Sequence, residues 1–203
     1  MIVTISRTYG ANGQAVSRAL AEQLGYRIVD EELPVVAASR LGTSAEVVQT
    51  MAERPRGFRE RVLEQLGGGV PEAAQPPADD PQPGQLRRAI EDAVREEATA
   101  GNAVIVGRMA SVVLAGRPDV LRVFLNAPLP WRIAHVVESL HVDEATARAE
   151  IARIDEARRT YAREGYQVTW GDPRIYDLVL DSSRFGVAGS AGVIAAAVHA
   201  AGG

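Results

Sequence analysis

The first thirty residues alternate short apolar segments with a helix, and this order restricts the fold more than any other feature. Residues 2–6 form an apolar run rich in β-branched side chains, which predicts a buried strand. Residues 7–13 form a loop, residues 14–24 have helical periodicity that ends at a glycine, and residues 27–30 predict a second strand. Strand, loop, helix and strand make the unit from which parallel α/β sheets are built.

The rest of the chain continues the alternation. Further strands are predicted over residues 103–106, 121–125 and 177–180. Helices are predicted over residues 32–40, 44–52, 57–66, 85–100, 131–140, 143–163 and 187–201. This order predicts an α/β fold with a doubly wound, five-stranded parallel sheet.

One segment breaks the pattern. Residues 67–84 contain five prolines and four glycines, a composition that predicts a mobile loop. The segment lies inside the chain and not between two complete cores, so it is interpreted as an insertion. The 203 residues are therefore expected to form a single domain, 1–203.

Composition excludes several classes of function. A net charge of -4 and a pI near 5.5 argue against general affinity for nucleic acid or an anionic membrane. The chain has no cysteine and no histidine cluster with metal-ligand spacing, so no metal-binding residues are predicted. No apolar run is expected to span a bilayer, and the N-terminus lacks a secretory pattern, so a cytoplasmic location is predicted.

The basic residues are all of one kind. All 22 are arginine, and lysine is absent. A mechanism that needs a lysine ammonium is therefore impossible in this chain. Phosphate contacts must come from arginine, from backbone N–H groups or from a metal ion.

The loop after the first strand is a candidate anion site. In parallel α/β sheets, ligands bind at the carboxyl ends of strands, and a glycine-containing turn that opens a helix exposes backbone N–H groups there. A standard P-loop reads G-x-x-x-x-G-K-[ST], but here Gly13 stands at the lysine, with Gln14 and Ala15 at the hydroxyl positions. A tight strand-to-helix turn without a ligand is the alternative interpretation.

Several motifs resemble the cytidylate kinase-like family. They are ISRTYGANG at residues 5–13, LAEQLGY at 20–26, DEEL at 30–33, GNAVIVGR at 101–108, VFLNAP at 123–128, DEAR at 155–158, WGD at 170–172 and YDL at 176–178. The resemblance covers nearly the whole chain except about residues 55–84. Glycine at position 13 is typical of the family, whereas Ala11 and Gln14 replace its usual serine and arginine.

The resemblance implies a P-loop nucleoside monophosphate kinase fold. It implies a helical lid at about residues 143–174 and an acceptor-binding insertion at about residues 31–100. It also implies transfer of the ATP γ-phosphoryl group to CMP or dCMP with Mg²⁺, so small-molecule nucleotides are the expected partners. The residues expected to bind the ATP phosphates are Ser6, Arg7, Tyr9, Gly10, Ala11, Asn12, Gly13, Gln14 and Ala15.

Arginines elsewhere complete the expected site. With the resemblance, Arg158 is the favoured phosphate contact and Asp155 its partner or a substrate contact, although a helix carrying solvated ion pairs is the alternative. Arg132 would reach the triphosphate or pair with a nearby glutamate. Arg108 would hold the acceptor phosphate, and Asp30 would contact the acceptor or Mg²⁺, or cap a helix.

The substituted loop leaves three functions open. The first is an active nucleoside monophosphate kinase. The second is a nucleotide-binding sensor or partner-binding protein with weakened catalysis. The third is a phosphotransferase that acts on another small acceptor.

Overall fold

The computed structural model of the chain describes residues 1–30 and 83–202. The helices predicted over residues 32–40, 44–52 and 57–66, and nearly all of the loop predicted over 67–84, lie outside these residues.

Five strands form one parallel sheet. They are β1 (Ile2–Arg7), β2 (Arg27–Val29), β3 (Ala103–Val106), β4 (Val120–Asn126) and β5 (Leu178–Asp181). Their order in the sheet is β2-β3-β1-β4-β5, and every pairing is parallel. The predicted doubly wound, five-stranded sheet is confirmed, and each strand bound lies within one residue of its prediction.

Six helices accompany the sheet in the described residues. They are α1 (Gly13–Leu24), α2 (Pro83–Thr99), α3 (Ala110–Val113), α4 (Leu129–Leu140), α5 (Glu144–Tyr166) and α6 (Ser182–Ala201). A short 3-10 turn, Pro173–Ile175, precedes β5.

The helices cover both faces of the sheet. On one face, side chains of α1 and α6 such as Leu20 and Ile194 pack on Val3 and Val123. On the other face, α2 and α3 cover the same strands through a second cluster that includes Ile90. Because β1 is buried on both sides, its nearly continuous apolar run is what a central parallel strand requires.

The order in which the strands are connected indicates where a ligand would bind, namely at the carboxyl ends of the central strands. From β1 the chain passes to the edge strand β2, returns to β3, and then crosses β1 to reach β4. The carboxyl ends of β1 and β3 therefore flank the point where the winding changes direction, and ligands bind there in doubly wound sheets.

The last helix starts earlier than predicted and is more apolar than expected. It begins at Ser182 because the Asp181 carboxylate caps it, accepting from the Ser183 amide at 2.9 Å, and it is kinked at Gly186. By length and composition α6 is long enough to cross a membrane, which corrects the expectation of no such run. Its buried residues, Ile194 among them, pack against α1 and the sheet, as in a core helix.

Candidate phosphate-binding site

The loop between β1 and α1 presents unpaired amides. Gly10 and Asn12 have left-handed backbone conformations, with φ of 80° and 55°, which turn the chain from the strand into the helix. Five amides of this loop and of the start of α1 have no hydrogen-bond acceptor among the described residues: those of Gly10, Asn12, Gly13, Gln14 and Ala15. The last three open α1, where amides lack helical partners and the helix dipole favours an anion.

Hydrogen bonds from the sheet hold this loop in place. The Thr8 amide donates to the Leu125 carbonyl at 3.0 Å, and the Thr8 hydroxyl donates to the Asn126 side chain at 3.1 Å. The buried Ser182 hydroxyl lies within 2.8 Å of the Ala11 carbonyl and 3.1 Å of the Asn126 carbonyl. The start of α6 and the end of β4 therefore fix the loop from below.

Asp155 joins three elements at the loop. Its carboxylate accepts from the Tyr9 amide at 2.8 Å and from Nη1 of Arg132 at 2.6 Å. The same Arg132 nitrogen donates to the Tyr9 carbonyl at 3.1 Å. The Asp155 side chain is only 3% exposed and that of Arg132 12%, so this is a buried ion pair that ties α4 and α5 to the loop.

Arg158 lies directly against the loop. Its Nη1 donates to the Arg7 carbonyl at 2.9 Å, and its guanidinium carbon lies 6.0 Å from the centre of the Tyr9 ring. Asp155 is 3.6 Å away, so it stands closer to Arg132 than to Arg158. Burial, and next the Arg7 guanidinium, lower the pKa of Arg158 to about 10. The arginine remains charged at neutral pH.

The other face of α5 carries surface ion pairs. Arg148 pairs with Glu144 at 3.1 Å, and Arg159 pairs with Glu156 at 2.6 Å. All four side chains are about half exposed or more, so solvent screens each pair and its contribution to stability is small. This face of α5 therefore matches the alternative interpretation of a helix that carries solvated ion pairs, whereas Arg158 lies on the face that contacts the loop.

Arg7, Arg108 and Asp30 share one electrostatic environment. Burial lowers the pKa of Arg7, the charge of Asp30 raises it, and the charge of Arg108 lowers it. Arg108 follows β3 and has a left-handed φ of 52°, as do its neighbours Gly107 (75°) and Met109 (54°). Such runs of unfavourable backbone persist where the surrounding structure holds them and cluster at ligand sites.

Asp30 is the carboxylate at the open side of the loop. One of its oxygens accepts from the Gln14 side chain at 3.3 Å. The described residues contain no group of three acidic or histidine side chains that would hold a metal ion on its own. A Mg²⁺ ion bound mainly by phosphate oxygens and water needs only one or two carboxylates, and Asp30 fits that requirement. Ala15 supplies no hydroxyl ligand.

Some predicted residues face the interior, and some contacts were missed. The Ser6 hydroxyl is buried and lies 3.4 Å from that of Ser111, which also bonds Thr4 at 2.9 Å. Ser6 therefore presents no hydroxyl to the loop surface. Neither Ser111 nor Ser182 was identified from the sequence. For Ser182, the available signal was its position after an aspartate at the carboxyl end of a strand.

The fold and the loop together define the structural class of the protein. A parallel sheet whose first strand runs through a glycine-containing turn into a helix is the phosphate-binding fold of P-loop kinases. The chain shares this fold with shikimate kinase from Bacteroides thetaiotaomicron, with a TM-score of 0.53, 12% identity and 98% of each chain covered. An uncharacterized protein from Eubacterium ventriosum is more similar in structure, with a TM-score of 0.69, 20% identity and 98% of each chain covered.

The cytidylate kinase-like family matches residues 2–184, and the chain belongs to this family. The cytidylate kinase of Methanopyrus kandleri is 28% identical over 193 residues, which cover 91% of this chain and 86% of the relative. That of Methanothrix thermoacetophila is 27% identical over 202 residues, covering 98% and 99%. The resemblance found in the sequence is confirmed, and the family supports a nucleotide kinase, for which ATP and Mg²⁺ are the implied cosubstrate and ion.

Proposed function

We propose that the chain is a nucleoside monophosphate kinase that transfers the γ-phosphoryl group of ATP to CMP or dCMP. The observation that carries this proposal is the row of unpaired amides at the start of α1, with Arg158 held against the same loop. Family membership and relatives that are cytidylate kinases support the substrate class.

The donor phosphates would lie on the loop. The five unpaired amides, those of Gly10 and residues 12–15, would bind phosphate oxygens, and the dipole of α1 favours their negative charge. Arg158 adds a guanidinium, whose planar fork contacts phosphate oxygens bidentately. Asp155 and Arg132 hold the loop and α5 together, and we assign them to positioning in this arrangement. Mg²⁺, when bound, neutralises charge on the phosphates.

The acceptor would lie at the ends of β2 and β3. Among the described residues, Arg108 forms no hydrogen bond or ion pair, so its guanidinium is available to the acceptor phosphate. Asp30 follows β2 at the same edge of the sheet and would contact the acceptor or Mg²⁺. Of the acceptor-binding insertion expected at about residues 31–100, the part before residue 83 lies outside the described residues.

Transfer requires alignment more than covalent chemistry by the protein. An oxygen of the acceptor 5′-phosphate attacks the γ-phosphorus, and the bond from that phosphorus to the bridging oxygen of ADP breaks. The loop amides and Arg158 hold the equatorial and bridging oxygens as charge shifts onto ADP. The region at about residues 143–174, which contains α5, would act as the lid that excludes water.

A coupled ADP-release assay with Mg·ATP and a panel of nucleoside monophosphates tests the proposal. We expect turnover with CMP or dCMP, and a drop in kcat/KM of about 100- to 1,000-fold in Arg158→Ala. Arg159→Ala is the matched control, since this neighbour pairs with Glu156 on the exposed face, and it should change the rate less than twofold. Absence of turnover with every monophosphate would refute the activity.

A nucleotide-binding protein without rapid turnover is the second candidate. It is favoured by Gly13 and Gln14, which stand at the lysine and hydroxyl positions that P-loop enzymes use, and by Ala11, which replaces the usual serine of the family. Calorimetry separates the two, because ATP or CMP would then bind while no ADP is released. Turnover with a small acceptor outside the nucleotide panel would instead support a phosphotransferase of another specificity.

A further inference from the structure

The loop has a cation and a glycine in exchanged positions. In the pattern G-x-x-x-x-G-K-[ST], a glycine opens the loop and a lysine stands six residues later. In this chain Arg7 stands where that first glycine belongs, and Gly13 stands at the lysine. Asn12, at the second glycine, has the left-handed backbone conformation that such a position requires, with φ of 55°.

The Arg7 side chain crosses the space that a side chain at position 13 would fill. A Cβ atom built on Gly13 would lie 2.5 Å from Cγ of Arg7 and 2.9 Å from its Cβ. A Cβ atom on Gly107 would lie 2.5 Å from Nη1 of the same arginine. The stem of Arg7 therefore runs over Gly13, and its guanidinium ends against Gly107 at the end of β3. Gly13 has no positive φ, so glycine is needed there for space.

The Arg7 guanidinium has two charged neighbours among the described residues, Asp30 and Arg108, which act on its charge in opposite directions. Among the described residues, the Arg7 guanidinium donates no hydrogen bond and forms no ion pair. Asp155, the buried carboxylate of the site, is already bound to Arg132 and the Tyr9 amide. Burial lowers the pKa of Arg7 most, the charge of Asp30 raises it, and the charge of Arg108 lowers it. An anion bound between these arginines would remove the repulsion.

We propose that the Arg7 guanidinium replaces the missing lysine and binds the terminal phosphates of a nucleoside triphosphate. It reaches them from the strand side of the loop, through the space that Gly13 leaves open. Its planar fork contacts two phosphate oxygens at once, whereas an ammonium acts as a point charge. This inference rests on the proposed function, because it assumes a triphosphate donor on the loop.

Calorimetry on the full chain tests the charge of Arg7. Arg7→Met keeps a long stem over Gly13 and removes the guanidinium. We expect it to weaken Mg·ATP binding about 10- to 100-fold, as loss of a charged hydrogen-bonding group does, and to weaken AMP binding much less. Arg7→Lys should retain part of the ATP affinity. Arg18→Ala, which removes an exposed arginine from α1, is the control and should stay within twofold of wild type.

A second pair of variants tests the shared space. Gly13→Lys in the wild-type chain brings a side chain against the Arg7 stem and should weaken ATP binding. The same change in an Arg7→Ala chain fills the vacated space with an ammonium and should strengthen ATP binding at least tenfold over Arg7→Ala alone. Gly13→Lys is therefore expected to weaken ATP binding when residue 7 is arginine and to strengthen it when residue 7 is alanine. Thermal unfolding verifies that each variant is folded.

The outcomes separate this inference from the proposed function. If wild type binds Mg·ATP and Arg7→Met binds it equally well, the role of Arg7 is refuted and the kinase proposal stands. Equal losses for ATP and AMP would also refute it, since a purely structural role would weaken both. If wild type binds no triphosphate, both proposals fail together.

Discussion

Replacement of Asp155 by asparagine tests whether a buried ion pair holds the loop to the helices around it. The asparagine side chain would keep an oxygen for the Tyr9 amide, which donates to the carboxylate at 2.8 Å. It would lose the negative charge opposite Arg132, whose Nη1 lies 2.6 Å from the other oxygen. The shape of the side chain is nearly unchanged, so the variant isolates the charge.

The magnitude follows from the burial of the pair. The Asp155 side chain is 3% exposed and that of Arg132 12%, so the arginine cannot regain full hydration when its partner is neutralised. Removing one member of a buried pair costs about 3–5 kcal/mol. We take the lower end, about 3 kcal/mol, because the amide oxygen still accepts from Tyr9. For a chain of this length that corresponds to a fall in Tm of about 6–12 °C.

Urea denaturation followed by circular dichroism measures the effect without any ligand. Glu156→Gln is the matched control, since this neighbour pairs with Arg159 at the surface, and it should leave the free energy of unfolding nearly unchanged. Adding Arg132→Met to Asp155→Asn removes the stranded cation and should restore part of the stability. A loss below about 1 kcal/mol in Asp155→Asn, within the range of surface pairs, would refute the reasoning.

Two further variants test the sheet edge and the loop. Asp177→Asn removes a carboxylate that accepts from Arg122 at 2.6 and 3.0 Å and should cost about 1 kcal/mol at neutral pH by urea denaturation, since the pair is partly exposed. The Arg122 guanidinium lowers the pKa of Asp177 below its usual 3.8. The stability that the pair contributes is therefore present above pH 3.8 and is lost as the pH falls through the lower pKa of the folded state. A stability difference between wild type and Asp177→Asn that persists in acid would contradict this reasoning. Gly10→Ala should lose about 2–3 kcal/mol, because φ is 80° and a Cβ atom would lie 3.0 Å from Val136. Gly25→Ala, with φ of 65° and open space around it, should lose only the backbone contribution of about 1 kcal/mol, and equal losses in the two variants would show that the loop does not pack on α4.

The strands and most helices could be predicted because their signals are local. The β-branched run at residues 2–6 and the helical spacing before Gly25 each depend on neighbours within a few residues. The last helix was predicted to start at residue 187, five residues after its start at Ser182. In the structure the helix continues across the kink at Gly186, and Asp181 caps its first turn.

The partner of Asp155 could not be predicted in the same way. The sequence showed Arg158 three residues later on the same helix, a spacing that brings side chains together, and the two do lie 3.6 Å apart. The closer partners, Arg132 and the Tyr9 amide, are 23 and 146 residues away in the chain. Only the packing of α4 and α5 on the loop brings them to one carboxylate, and no local pattern encodes that.

The position of Arg7 shows a second reason why motif matching fell short. A pattern records which residue type stands at each position, and by that measure this loop lacks its cation. The stem of Arg7, six residues earlier, occupies the space that a Cβ atom on Gly13 would take. If the Arg7 guanidinium binds phosphate as proposed above, the missing ammonium is weak support for lost catalysis.

The contacts of α5 also bear on how such a site would work. Arg158 and Asp155 contact the loop through the Arg7 carbonyl and the Tyr9 amide. These contacts fix the Arg158 guanidinium near that of Arg7, and a bound polyanion would relieve the repulsion between the two. Electrostatic preorganisation of this kind favours charge that develops during transfer, since the groups need not reorganise at that moment. This arrangement favours a phosphotransferase over a loop retained only for its shape.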